Sequence, residues 1–194
     1  KMVLFVYLLS GFHILLHKVT QKDCILVSTP VYGESEFNDL VFMVQSFHEN
    51  WNYKEVIKEV FEDVKTAYQN QFIPLSDVGS ENSEKKSVNL CQYLMTFDGI
   101  HTKEKVTSVL ELSRTEFALS LREEEGKLLG QVLSDSSKIG SETVHAYLRC
   151  YQQILTDMFA NLESSETYTE TRNVVKVPKD TLGEFDFQQL LSKI

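Results

Sequence analysis

No two cysteines in this sequence are spaced as C-x-x-C; Cys24, Cys91 and Cys150 are far apart and odd in number. A disulfide framework needs an even, dense set, and a structural zinc site needs paired ligands, so both are excluded. The simplest reading is three buried or half-buried thiols in a reducing compartment, and with it a cytoplasmic location. Glycine and proline are scarce, at 8 and 3 residues of 194. That excludes collagen-like repeats and low-complexity scaffolds, and scattered glycines build no phosphate-cradling loop. Basic residues are outnumbered 28 to 19, giving a formal charge of −9. Nucleic-acid binding needs clustered Lys and Arg against phosphates, so no such partner is expected. Ser28 and Thr29 precede Pro30 without a G-x-S-x-G context, which argues against a nucleophile. His13 and His17 are four apart, but no Glu follows His13 and no third ligand is near, so no metal is expected.

What remains is ordinary globular material, 42% hydrophobic and 24% charged. A chain of this length buries roughly 70% of its extended surface and forms one domain, or one lobe of a larger one. The run from Met2 to Leu16 is apolar over 15 residues. It falls short of the roughly 20 residues a membrane span needs, and HKVTQKDC offers no small-residue cleavage site after it. A buried core helix over Met2 to His17 is the better reading. It begins immediately behind Lys1, as if in the middle of a fold. Apolar on nearly all sides, it is expected to leave an exposed patch, and so to drive self-association or demand a second chain.

Cys24 to Ser28 and Leu40 to Phe47 read as short strands, separated by a loop marked by Pro30, Gly33 and Glu34-Ser35-Glu36. Tyr53, Val56, Ile57, Val60, Phe61, Val64 and Tyr68 fall on one helical face, with Asn52 and Glu55 spaced as a capping box. Trp51 beside Tyr53 is read as a core plug ahead of a partner contact. Val78 to Ser87 reads as a loop. Val88 to Phe97, Lys105 to Leu112, Glu116 to Arg122 and Leu128 to Leu133 read as strands, with a turn and a solvated carboxylate run at Glu123 to Gly126. A last long helix follows Gly140. Residues 163–194 read as an exit linker with a possible short docking helix in EFDFQQLLSKI. The order implies a mixed α/β layer with long helices packed on a sheet.

Four stretches carry a resemblance. They are GFHILLHKVTQKDCILVSTPVYG (Gly11 to Gly33), MVQSF (Met43 to Phe47), VKTAYQNQFIPLSDV (Val64 to Val78) and SLREEEGKLLGQV (Ser120 to Val132). In this order and spacing the chain resembles the C-terminal lobe of a condensation domain of nonribosomal peptide synthetases. The resemblance covers residues 2 to 162. It implies a chloramphenicol-acetyltransferase-like half-domain over 1–162, with a mixed sheet and long helices. His17 and Lys18 match the family's helix end; Thr29, Pro30, Val31 and Gly33 match its G-T-P-V-x-G-R loop. Ala67, Tyr68, Asn70, Gln71 and Pro74 match its A-Y-x-[HN]-Q-D-x-P-F-E pattern.

The resemblance also implies a function. Such a lobe forms one wall of a tunnel where an amine on one carrier protein attacks a thioester on another. The tunnel-facing residues implied are Ser28, Thr29, Pro30, Tyr32, Gly33, Val44 and Gln45. No cofactor is bound directly; the phosphopantetheine arm of a carrier protein enters. The partners implied are an N-terminal condensation lobe on the same or another chain, a peptidyl carrier protein and a neighbouring adenylation domain. Three departures matter. The family's His-His-x-x-x-Asp-Gly motif is absent, so this chain alone is expected to have no catalytic residue for amide formation. Glu34 stands where the family has Arg. The stretch before Val88 lacks R-N-P-x-F. A degenerate partial lobe acting as a docking module, or a different acidic α/β domain altogether, are the other readings.

Overall fold

The computed structural model of the chain describes residues 1–48, 50–74, 91–112 and 115–168. The loop expected at Val78 to Ser87 and the docking helix expected in EFDFQQLLSKI lie outside the described residues. Among the described residues nine elements follow in order: α1 (Met2–Thr20), β1 (Cys24–Pro30), β2 (Leu40–Ser46), α2 (Tyr53–Gln69), β3 (Tyr93–Phe97), α3 (Lys103–Leu112), β4 (Phe117–Glu124), β5 (Lys127–Ser134) and α4 (Ser141–Ala160).

The strands form one mixed sheet in the order β2-β1-β3-β4-β5. β1, β3 and β4 run parallel; β2 and β5 pair antiparallel at the two edges. This is the α/β layer that the sequence pattern implied. The register sorts side chains into two faces. Ile25, Val27, Met43, Met95, Phe117, Leu119 and Leu121 point into the main core, under α1, α2 and α4. Leu94 and Ala118 point the other way, onto Val109 and Leu110 of α3.

The strand expected over Lys105 to Leu112 is instead helix α3. The reason is topological. β3 and β4 are parallel neighbours, and a parallel pair needs a crossover that a hairpin cannot supply. Val106, Val109 and Leu110 also fit helical spacing, which the β-branched composition concealed. Elsewhere the elements lie within a few residues of expectation. At α2 the capping box is complete: the Asn52 side chain accepts the Glu55 N–H at 2.9 Å, and the Glu55 carboxylate accepts the Asn52 N–H at 2.8 Å. At the β4–β5 hairpin, Glu125 and Gly126 both take positive φ, 52° and 75°, as a two-residue turn between twisted strands requires.

Helix α1 is the centre of the core. Thirteen consecutive residues, Leu4 to Leu16, are buried. β1, β3, α2 and α4 of the same chain cover most of it, and what stays open is its first turn, where Val3 is exposed and lines an apolar groove with Val6, Tyr7, Ile57, Phe61 and Leu162. By length and composition α1 would suffice to cross a membrane, but it is enclosed within the fold. Further apolar surface lies on the sheet's α3 side, where Val44 of the edge strand is 51% exposed and Leu129 and Leu133 of β5 stand beside solvent. The thiols also differ from expectation: Cys91 and Cys150 are half-buried, but Cys24 is exposed at the start of β1. Trp51 is half-buried, its ring 4.6 Å from that of His48, while Tyr53 is a full member of the core.

α1 and α4 cross at Gly11. A Cβ there would lie 2.7 Å from Leu155 Cδ2 and 3.3 Å from Tyr151 Cε2. Two buried hydroxyls tie the crossing together: Tyr7 donates to the Leu155 carbonyl at 2.6 Å, and Tyr151 donates to the Leu8 carbonyl at 2.9 Å. Burial pushes both phenols above their ordinary range, so they stay protonated donors. Gly11→Ala is expected to be nearly neutral, since a gain of about 1 kcal/mol in helix propensity offsets a small shift of Leu155. Gly11→Leu has no such room and is expected to cost about 3 kcal/mol by overpacking. Urea denaturation of the two variants checks this; equal midpoints would refute the close crossing.

Candidate functional site

The parallel strands β1 and β3 end side by side, and the chain leaving β1 makes a loop over residues 30–33. Three side chains from separate elements hold the start of this loop. Thr29 is fully buried in β1, Tyr68 comes from the last turn of α2, and His101 follows the turn after β3. His101 Nε2 lies 3.0 Å from the Tyr68 hydroxyl and 3.4 Å from Thr29 Oγ1. Tyr68 Oη is also 3.4 Å from the Pro30 carbonyl oxygen. His101 Nδ1 accepts the Phe97 N–H at 3.0 Å. An amide N–H can only donate, so Nδ1 carries no proton and the neutral ring bears its hydrogen on Nε2.

Gln71 holds the rest of the loop. The Tyr32 N–H donates to Gln71 Oε1 at 2.9 Å, and Gln71 Nε2 donates to the Tyr32 carbonyl at 3.0 Å. This two-point pair mimics a rung of a sheet ladder. Gln71 is itself fixed by Asn38, whose Nδ2 donates to the carbonyls of Gln71 and Ile73, each at 2.7 Å. The Val31 N–H donates to the Asp39 carbonyl at 3.1 Å. Lys105 of α3 donates to the Gly33 carbonyl. Gly33 sits at φ 70°, in the left-handed region where glycine is unstrained. The loop's backbone polar groups thus find partners on both sides of the chain.

The seven residues singled out in the sequence divide by burial. Ser28, Thr29, Pro30 and Gln45 are buried within the lobe, while Tyr32, Gly33 and Val44 are at its surface. Ser28 donates to the Tyr93 carbonyl at 2.9 Å, which ties β1 to β3. Gln45 donates to the Ser46 carbonyl at 3.0 Å, and its Oε1 has no hydrogen-bond partner. Val44 and Gln45 lie in β2, at the far end of the strand from the 30–33 loop. Sequence reasoning missed His101; it put Tyr68 on the apolar face of α2 and matched Tyr68 and Gln71 to a pattern, but gave neither a role at this loop. The pattern was itself the signal, for the T-P-V-x-G and A-Y-x-N-Q stretches meet in space through Tyr68 and Gln71.

Burial governs the two enclosed histidines of this region. Burial, reinforced by the nearby Lys105 charge, pulls His101 from 6.5 down to about 3. Burial likewise pulls His13 down to about 4, against the opposing backbone at Leu9 and Met43. His13 Nδ1 lies 3.1 Å from the Leu9 carbonyl, and its Nε2 has no partner in hydrogen-bond geometry. His17 stacks on Phe47 with ring centres 4.4 Å apart and bonds the Lys22 carbonyl at 2.8 Å, ending α1 as a polar stop. Among the described residues no three His, Cys, Asp or Glu side chains gather as a metal site. The carboxylate run is at the surface, with Glu123 3.6 Å from Lys1 and Glu124 3.3 Å from Arg122.

With five strands in the order described and helices on both faces, the chain is a mixed α/β half-domain. No family model matches the sequence, and no curated protein matches it. Solved structures do. The chain is similar to the condensation domain of the Monacolin K polyketide synthase MokA, at TM-score 0.59 and 17% identity, over 79% of this chain and 40% of that one. It is similar to a four-domain nonribosomal peptide synthetase bound to AMP and glycine, at 0.66 and 19%, over 82% and 15%. It is also similar to the starter condensation domain of rhizomide synthetase RzmA, at 0.58 and 10%, over 78% and 41%. The fold is thus that of one lobe of a condensation domain. The chain spans about two-fifths of the condensation-domain structures it matches.

The two buried histidines set the acid response. Unfolded, each binds a proton near 6.5; folded, only near 3 and 4. Between those values unfolding takes up protons, so stability falls as pH falls. Asp63, raised to about 6 by partial burial and by Glu59, works in the opposite direction. From pH 7 to pH 5 each histidine is expected to remove about 2 kcal/mol. Denaturation of the wild type and His101→Gln at both values checks this. An unchanged pH slope in the variant would remove His101 from the account.

Proposed function

We propose that this chain is the C-terminal lobe of a condensation domain in nonribosomal peptide synthesis and forms one wall of the tunnel between two lobes. The observation that carries the reading is the meeting of two family-like stretches. The Thr29-Pro30-Val31-x-Gly33 loop is held in place by Tyr68 and Gln71 of the second stretch, within the fold of a condensation lobe. The partners are an N-terminal condensation lobe, a peptidyl carrier protein with its phosphopantetheine arm, and a neighbouring adenylation domain, in the cytoplasm. No cofactor, metal, nucleic acid or membrane is called for.

In the reaction the amine nitrogen attacks the thioester carbonyl. A C–N bond forms, the C–S bond breaks, the arm's thiol leaves and the amine gives up a proton. This chain's part is to shape and wall the site, so that two tethered reactants meet at high effective concentration. Its sequence carries no His-His-x-x-x-Asp-Gly motif to take the proton. His101 is neutral, carries its hydrogen on Nε2 and has Nδ1 engaged by the Phe97 N–H, so it cannot replace the missing histidine motif. A second reading, a docking module between synthetase domains, draws support from Glu34. It is exposed and negative where the family has Arg, a charge reversal that changes which partner the loop's rim attracts.

The test is a condensation assay with donor and acceptor loaded on carrier proteins. The chain is run alone, then with a separately expressed N-terminal lobe bearing His-His-x-x-x-Asp-Gly. Dipeptide is expected only in the mixture. Product from the chain alone would overturn the claim that the chemistry lies elsewhere. No product in either, with carrier binding retained, would favour the docking module.

A further inference from the structure

Resting on the lobe reading above, we infer that Tyr32 is a specificity-determining residue, which reads the size of the substrate side chain from a backbone locked by Gln71. The geometry of one residue carries this. The Tyr32 N–H and carbonyl are both taken by the Gln71 carboxamide, at 2.9 and 3.0 Å. The residues on either side are tied as well, Val31 through Asp39 and Gly33 through Lys105. The side chain is nevertheless 49% exposed. Its ring lies 5.7 Å from that of Tyr68, tilted by 45°, so one flank is supported and the other is open.

An exposed aromatic ring on a free loop would adapt to any neighbour. Here the main chain is fixed at three successive residues, leaving only the two side-chain torsions of Tyr32 to vary. A ring so held presents a rigid apolar wall at small entropic cost, which is what shape discrimination requires. The class of group it selects is the aminoacyl or acyl side chain carried by the phosphopantetheine arm. Tyr32 touches nothing that moves a proton, so the effect falls on discrimination between substrates and not on the chemical step. Gln71 is the positioning residue, acting only through the Tyr32 backbone.

The experiment uses the full chain with the histidine-bearing N-terminal lobe and acceptor carriers loaded with alanine, leucine or phenylalanine. Tyr32→Ala is expected to shift the kcat/KM ratio of phenylalanine to alanine by about tenfold, and Tyr32→Phe to leave it unchanged. Gln71→Met is expected to move the ratio in the same direction and to speed hydrogen exchange at the Tyr32 N–H. Product with an unchanged ratio in Tyr32→Ala overturns the inference and leaves the lobe reading standing. If the wild-type mixture makes no product, the lobe reading fails, and binding then decides the inference. Phenylalanyl-pantetheine titrated against the isotope-labelled chain is expected to shift the Tyr32 ring resonances. No shift at saturating concentration overturns it.

Discussion

Helix α1 has no polar face to offer water, so its own chain must cover it all round. Leu4 to Leu16 are buried in succession, including Ser10 and His13, whose polar atoms turn back to the helix carbonyls of Val6 and Leu9. A helix of this kind cannot sit on a surface. The sheet closes one side, α2 and α4 close the flanks, and Tyr168 closes the far end by bonding His17 and the Trp51 carbonyl. Gly11 lets α4 approach closely enough for the two tyrosine hydroxyls to reach across. α2, α4, β1 and β3 pack on this helix directly, and β2, β4, β5 and α3 are placed through them.

The placement of the 30–33 loop follows from that packing. α1 brings β1 and β3 side by side and sets α2 across the end of β1, so Tyr68 and Gln71 arrive where the chain leaves the sheet. A loop at the C-terminal edge of parallel strands has many unpaired backbone groups. Here they are met by one carboxamide, one phenol, one lysine and one neutral histidine. The cluster is satisfied internally, and that makes it a scaffold. A buried network with its donors and acceptors already matched gains stiffness, whereas a catalytic group needs a vacancy facing the substrate.

Much of this was legible in the residues. The apolar run of α1, the seven-residue stripe and capping box of α2, and the alternation of β4 each carry a local periodic signal. The parallel crossover through α3 was not legible, because Val106, Thr107 and Val109 favour a strand locally and only the pairing of β3 with β4 requires a helix. The covering of α1 was hidden for the same reason: whether an apolar helix is enclosed depends on partners as far as 151 positions away, as in the His17–Tyr168 bond. The clamp on the loop was half legible. The two stretches that form it could be quoted as patterns, but their meeting is a tertiary fact. His101 had no pattern at all and earns its place only through Phe97, Tyr68 and Thr29.

The state of His101 follows from the same packing. A general base must offer an unoccupied lone pair at a pH where it is free to accept a proton. His101 is free of charge, but its one lone-pair nitrogen is spent on the Phe97 N–H and its hydrogen faces Tyr68 and Thr29. Protonating it would break that bond and bury a charge close to Lys105. Such a ring can hold a loop still; it cannot exchange protons with a substrate. His101 is thus a structural histidine, held neutral by the same contacts that hold the start of the 30–33 loop.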